Sequence, residues 1–369
     1  MMKLFILIPI LLLMSCIKEV NEEVNSGKKS VVQLVDKSAT HETRNLFINL
    51  DRISKDKVLY GQQVFLYDFG SQQDFGKKAA YSPSVFGWDL GSLGTDQEFD
   101  SLKNKNLEKA MIKVYHLGGI NALSWNIEKP GGNEIIPETD NYVRSVLPGG
   151  YQHENYKRQL INFARFNSRL LDTTGCQVPI LFRALYEQNG NWFWWGKKYC
   201  SSEEYKNLFK FTVLYLKDSL NVHNLIYVFS PDGRFDDYLE RYPGDEYVDI
   251  IGLDFYFSKY ALSKDMELYN KVVAEISDLS KSKSKLSAVS EVGWDFSGLE
   301  RTQTKSLIEH IIGRKNGIAI TYFILFNNEL ENYSGEINSI DPNSDFNGFY
   351  KSTNTYFLKN LPNVYANYN

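Results

Sequence analysis

Glu187 and Glu291 each close a short apolar run and have tryptophan close behind. The stretch "PILFRALYEQNGNWFWWG" carries Glu187 with Trp192, Trp194 and Trp195, and "KLSAVSEVGW" carries Glu291 with Trp294. Two facing carboxyl groups can divide acid–base work, one donating a proton while the other attacks or activates water. Indole rings supply flat apolar faces. Together they suit an uncharged ring-shaped ligand whose hydroxyls need short polar neighbours, and cleavage of a glycosidic bond is the reaction that needs two such carboxyls. A separation of about 5–5.5 Å between them would predict retention of anomeric configuration. Asp89 and Asp254 are further carboxylates at run ends, Asp254 lying two residues before Tyr256.

The elements that must position these groups are legible as eight apolar runs, at 57–65, 84–90, 120–126, 179–187, 224–231, 248–256, 285–292 and 317–326. Most are followed by a polar loop and an amphipathic helical pattern. Helices are expected over 155–172, 264–280 and 301–313, and the clearest runs from Ser201 to Leu220, where Ser201 and Glu204 form a capping box. Near-continuous apolar strands alternating with helices predict a closed parallel sheet of the α/β class, the (β/α)8 or TIM barrel. Such a barrel builds its site at the C-terminal ends of its strands, and strands four and seven face each other across the mouth. All six tryptophans fall at or just past a strand end, so Trp88, Trp125 and Trp294 are expected to line the ligand face beside Trp192, with Trp88 and Asp89 at distal subsites.

Composition agrees. The 369 residues carry 14% aromatics, including 24 Tyr and 23 Phe, but a net charge of only −4. Aromatic excess without basic excess argues against a nucleic-acid partner. Five histidines in no spaced cluster give no metal signature, and no cofactor is expected. Cys176 and Cys200 fall at opposite ends of the fourth strand region, so no bridge between them is expected.

The segment "FRALYEQNGNWFWWG" resembles the signature of glycoside hydrolase family 26, R-P-x-H-E-x-x-G-x-W-F-W-W-G, whose best-known members are β-mannanases. The resemblance continues through "VFSPDGRFDDYLERYPGDEYVDIIGLDFY" and "SEVGW", and more loosely through "YGQQ" and "GGINALSWN". It implies a retaining endo-β-1,4-mannanase on the barrel scaffold. Glu187 takes the place of the acid/base and Glu291 that of the nucleophile. Arg183 supports a carboxylate, Trp192 lies against the sugar beside the scissile bond, and Tyr256 donates a hydrogen bond to the nucleophile with Asp254 as its companion. Three positions depart from the family pattern. Tyr186 and Asn126 stand where histidines are usual, and Phe326 with Asn327 where a tryptophan commonly ends strand eight. These changes rewrite polar contacts at the sugar beside the cleaved bond, so a β-glucanase or β-1,3-xylanase on the same scaffold is the alternative within the enzyme class. From another class, the alternative is a glycan-binding lipoprotein without catalysis.

The amino terminus, "MMKLFILIPILLLMSC", reads as an export signal over residues 1–16 and resembles a bacterial lipobox, which makes Cys16 the expected lipidation site. Residues 17–45 read as a flexible tether and 46–369 as the catalytic domain. The expected location is the bacterial outer membrane facing the exterior, the periplasmic face being the other option. Membrane contact is expected only through the anchor, and the protein is expected to be a monomer whose partner is a β-linked polysaccharide or oligosaccharide.

Overall fold

In the computed structural model the eight apolar runs become parallel strands: β1 (Val58–Gln63), β2 (Val85–Leu90), β3 (Ile120–Trp125), β4 (Ile180–Ala184), β5 (Leu225–Phe229), β6 (Ile250–Phe257), β7 (Leu286–Trp294) and β8 (Tyr322–Leu325). The structure describes residues 33–64, 82–93, 101–132, 142–235, 237–294, 310–311, 318–326 and 354–367. Each strand pairs with the next, and β1 pairs with both β8 and β2, which closes the (β/α)8 barrel. A short ninth strand, β9 (Thr355–Tyr356), adds to the start of β1.

The described helices are α1 (His41–Asp56), α2 (Leu102–His116), α3 (Tyr142–Val146), α4 (His153–Asn167), α5 (Ser202–Leu214) and α6 (Leu262–Ser282). The helix expected over 301–313 lies largely outside the described residues. The capping box is formed as expected: the Ser201 hydroxyl accepts from the Glu204 N–H, and the Glu204 carboxylate accepts from the Ser201 N–H.

Strand alternation sorts the apolar side chains into two layers. Leu59, Ile120, Ala122, Leu181, Ile226, Val228, Ile250, Ala288 and Ile324 fill the barrel together with Leu46, Phe47, Leu50 and Ile53 of α1. Their strand neighbours point outward against the helices; among them are Phe86, Trp88, Leu123, Trp125, Phe182 and Phe323. The α1 residues recur at helical spacing and plug the base of the barrel. Each fully buried Leu, Ile or Phe there contributes about 1.5–3 kcal/mol before ordering entropy is charged against it.

The segment before α1 is part of this base. The Val35 N–H donates to Asp249 (2.7 Å), Asp36 pairs with His223 (2.8 Å), and the Thr40 N–H donates to the His223 carbonyl. The tether expected through residue 45 therefore gives way to folded structure within that span, with α1 beginning at His41. Cys16 lies outside the described residues. Cys200 is a buried free thiol that donates to the Trp195 carbonyl, so no bridge joins it to Cys176.

Candidate active site

The site begins with β4, whose last inward side chain is Arg183. The strand then breaks: Leu185 and Glu187 both adopt left-handed backbone, with φ of 53° and 49°. Non-glycine residues hold such angles only where surrounding bonds impose them, at about 1–3 kcal/mol each. Here the Tyr205 hydroxyl donates to the Leu185 carbonyl, Trp195 Nε1 donates to the Tyr186 carbonyl, and the Glu187 N–H donates to the Ser230 carbonyl. The turn, rather than strand alternation from Arg183, aims Glu187 at the barrel mouth. Gly190 then lets the chain fold back, since a Cβ there would lie 2.3 Å from the Trp192 ring. That ring is 49% exposed, and its Nε1 donates to Glu187 Oε2 at 2.6 Å.

Glu291 arrives by a different device. Pairing of β6 with β7 slips by one residue, from Leu253 opposite Val289 to Asp254 opposite Glu291. Ser290 is the extra residue, and this β-bulge turns Glu291 to the same side as Asp254. Glu291 then receives two charge-assisted or short bonds. Arg183 Nη2 donates to Oε2 and the Tyr256 hydroxyl to Oε1, at 2.6 and 2.5 Å. The same Arg183 nitrogen donates to the fully buried Asp254 at 2.6 Å, while Nη1 donates to the Ser124 hydroxyl and Ser230 donates to the other Asp254 oxygen. The guanidinium also lies over the Tyr186 ring, 3.8 Å from its centroid.

These surroundings separate the two glutamates. Burial first, and then the charge of Glu291, push the Glu187 carboxyl up to about 7, while Arg183 and the Trp192 N–H oppose the shift. Burial alone would lower the Arg183 guanidinium, but Asp254 and Glu291 more than reverse it, so the cation is held firmly charged. Burial and the neighbouring Glu291 likewise raise the Tyr256 phenol, which keeps it a donor. One carboxyl is thereby favoured as an acid near neutrality and the other is held by a cation and a phenol, which is the division that hydrolysis through paired carboxyls requires.

The other expected site residues divide between mouth and scaffold. Asp89 sits on an inward, exposed position of β2 and accepts the backbone N–H of Asn126, itself exposed just past β3. Phe326 follows β8 and meets the Tyr256 ring at 6.3 Å between centroids; Asn327 lies outside the described residues. Tyr186 stands beside the carboxylates, with no hydrogen-bond partner for its hydroxyl among the described residues.

Trp88, Trp125 and Trp294 do not line the mouth. They are 0%, 1% and 6% exposed and pack in the outer layer; Trp88 donates to Asn121, and Trp125 stacks on Phe163. Alternation explains this, because Asp89 and Ser124 beside them take the inward positions. Trp194 and Trp195 brace the loop, the former donating to the Ile127 carbonyl. Trp192 alone of the six is strongly exposed.

Sequence reasoning missed Ser124 and Ser230, which hold Arg183 and Asp254, and also Asn189, which ties the loop after β4 to the loop after β5. Isolated serines and an Asn-Gly pair carry no periodic signal that could single them out. Among the described residues no group of three or more His, Cys, Asp or Glu is placed to hold a metal ion.

Comparison with known proteins agrees with this geometry. The family model for glycosyl hydrolase family 26 matches residues 35–328. A curated mannan endo-1,4-β-mannosidase from Bifidobacterium adolescentis is 35% identical over 289 residues, covering 74% of this chain. The chain spans only 29% of that relative's length. The solved structure of GH26C from Muricauda sp. superposes with a TM-score of 0.78 at 29% identity, covering 90% of this chain and 96% of that one. The catalytic domain of the Bacillus sp. JAMB-750 GH26 endo-β-1,4-mannanase gives 0.76 at 30% identity, with 90% and 95% covered. A buried arginine holding one glutamate, a strained turn presenting the other, and a match over most of the barrel lead to one conclusion: the chain belongs to glycosyl hydrolase family 26.

Proposed function

We propose that the protein hydrolyses β-1,4-mannosidic bonds within mannan-type polysaccharides, with retention of configuration. The observation that carries this reading is the unlike surroundings of its two glutamates: burial raises Glu187 to about 7, and Arg183 and Tyr256 both donate to Glu291. In the first step Glu291 attacks the anomeric carbon as the Glu187 proton passes to the departing glycosidic oxygen, leaving a glycosyl ester on Glu291. In the second, Glu187 as carboxylate takes a proton from water while that water displaces Glu291, restoring both groups. Trp192, exposed and bonded to Glu187, offers its face to the sugar next to the cleaved bond. Mannan as substrate is supported by the relatives, which are mannan endo-1,4-β-mannosidases.

Tyr186 and Asn126, replacing the histidines usual in the family, favour a second reading, a β-glucanase or β-1,3-xylanase on the same scaffold. Retention of both glutamates speaks against a binding protein that has lost its chemistry. A reducing-sugar screen on mannan, galactomannan, lichenan and β-1,3-xylan, with product lengths and the anomer of the first product recorded, decides among them. Release of oligosaccharides from mannan with retained configuration is expected. Full polysaccharide activity in Glu187→Gln would overturn the assignment, and lichenan as the sole substrate would move the protein to the second reading.

We also propose that the enzyme is a monomer lipidated at Cys16 and displayed on the outer surface of a bacterial cell. The "LMSC" sequence and the polar, acidic segment after it support this. Cys16→Ala is expected to release the protein from the membrane fraction.

A further inference from the structure

Beside Trp192 a second aromatic ring is left uncovered. Phe235 is 41% exposed, and its ring centroid lies 6.4 Å from that of Trp192, with 37° between the planes. Large apolar side chains at such exposure are unremarkable singly, but two adjoining rings at the rim of an active site form one apolar ledge. The ledge is also built to hold its shape. Phe235 belongs to the loop after β5, and the side chain of Asn189, from the loop carrying Trp192, grips that loop on both sides of it. Asn189 accepts from the Asp232 N–H and donates to the Asp232 carbonyl, at 3.0 and 2.9 Å, and donates to the Asp237 carboxylate at 3.3 Å. Lys197 reaches the same Asp237 at 2.6 Å. Four bonds thus fix the spacing of the two rings before any ligand arrives, so stacking costs little ordering.

The polarity of the ledge follows from Trp192, which donates to Glu187, the group that protonates the leaving oxygen. Arg234 next to Phe235 is within electrostatic reach of Glu187 and is clamped on Asp232 by bonds from Nε and Nη2. That clamp leaves its remaining Nη1 donors without a partner among the described residues. An apolar face with a fixed donor beside it is the composition that a pyranose requires.

We infer that Phe235 is a specificity-determining residue that stacks on the second sugar of the leaving-group side of the polysaccharide, one unit beyond the sugar held by Trp192. The inference rests on Glu187 being the acid/base, and it holds for whichever polysaccharide the wild-type enzyme cleaves.

The test compares wild type, Phe235→Ala and Phe235→Trp on two substrates. One is the polysaccharide found in the screen, and the other is an activated aryl glycoside of the same sugar, whose leaving group ends before Phe235. The ratio of kcat/KM on polymer to kcat/KM on aryl glycoside is expected to fall about 5- to 10-fold in Phe235→Ala, chiefly through KM on the polymer, and to recover in Phe235→Trp. Cleavage of end-labelled oligosaccharides is expected to shift, because binding frames that place two units on the leaving-group side lose their advantage. A ratio and a cleavage pattern within twofold of wild type, in a variant with unchanged Tm, would overturn the inference. Wild-type inactivity on mannan would instead count against the substrate reading and leave the ratio to be taken on the substrate that is cleaved.

Discussion

Glu187 and Glu291 are one residue type in two settings, and the setting of Glu187 is measurable through pH. Glu187 must be protonated to act as an acid, and its protonated fraction falls as pH rises through about 7, so kcat/KM on unactivated polysaccharide is expected to decline above neutrality. The Trp192 N–H favours the carboxylate form, so removing it raises the Glu187 pKa. Trp192→Phe is therefore expected to move the alkaline limb upward by about half to one unit, as read from the pH dependence of kcat/KM. Tyr186 makes a separate prediction. Its ring stacks on Arg183 while its hydroxyl has no partner among the described residues, so Tyr186→Phe should keep the fold and Tm. It should lower kcat/KM about 5- to 100-fold if a sugar hydroxyl takes that group. The grouping of these residues was legible in the sequence, because both glutamates, Arg183 and Tyr256 lie toward the ends of apolar runs that the barrel gathers at one mouth. The tryptophans misled, since residue type was read without the period of two that turns Trp88 outward whenever Asp89 turns in.

At the scale of elements, two local irregularities deliver the two glutamates, and neither is written in an obvious pattern. The strands themselves were legible, each observed within a few residues of its apolar run, as was the capped start of α5. The extra residue at Ser290 has no signature in "KLSAVSEVGW", because a bulge is defined by pairing with β6 and not by its own sequence. The left-handed Glu187 is equally silent, its angles being imposed by Tyr205, Trp195 and Ser230 from elsewhere. Asn189-Gly190 is a common turn dipeptide, but here Gly190 is needed for space and not for a positive φ. Gly190→Ala would place a methyl against the Trp192 ring at 2.3 Å and push it off Glu187. The expected outcome is a loss of kcat/KM of about tenfold or more, with the alkaline limb displaced as in Trp192→Phe and Tm changed by no more than a few degrees.

For the whole molecule, the closed parallel barrel followed from the alternation of apolar runs and helices, while its lower boundary did not. The helical spacing of Leu46, Phe47, Leu50 and Ile53 was present in the sequence, but the polar residues before it read as linker. Only the folded chain brings Val35 and Asp36 to Asp249 and His223. A chain starting at residue 41 leaves the buried Asp249 one donor short. It is expected to lose about 1–3 kcal/mol, seen as a Tm several degrees below that of a chain starting at residue 33, with kcat at 25 °C unaffected. The separation of effects follows from geometry. Asp249 and His223 precede β6 and β5, whereas Glu187 and Glu291 stand at the far ends of β4 and β7. The molecule is thus built like a tool, with its handle at one pole and its jaw at the other. A tether fixed to the chain ahead of Val35 would hold the protein by the handle and leave the mouth of the barrel at the opposite pole, free of whatever the tether holds.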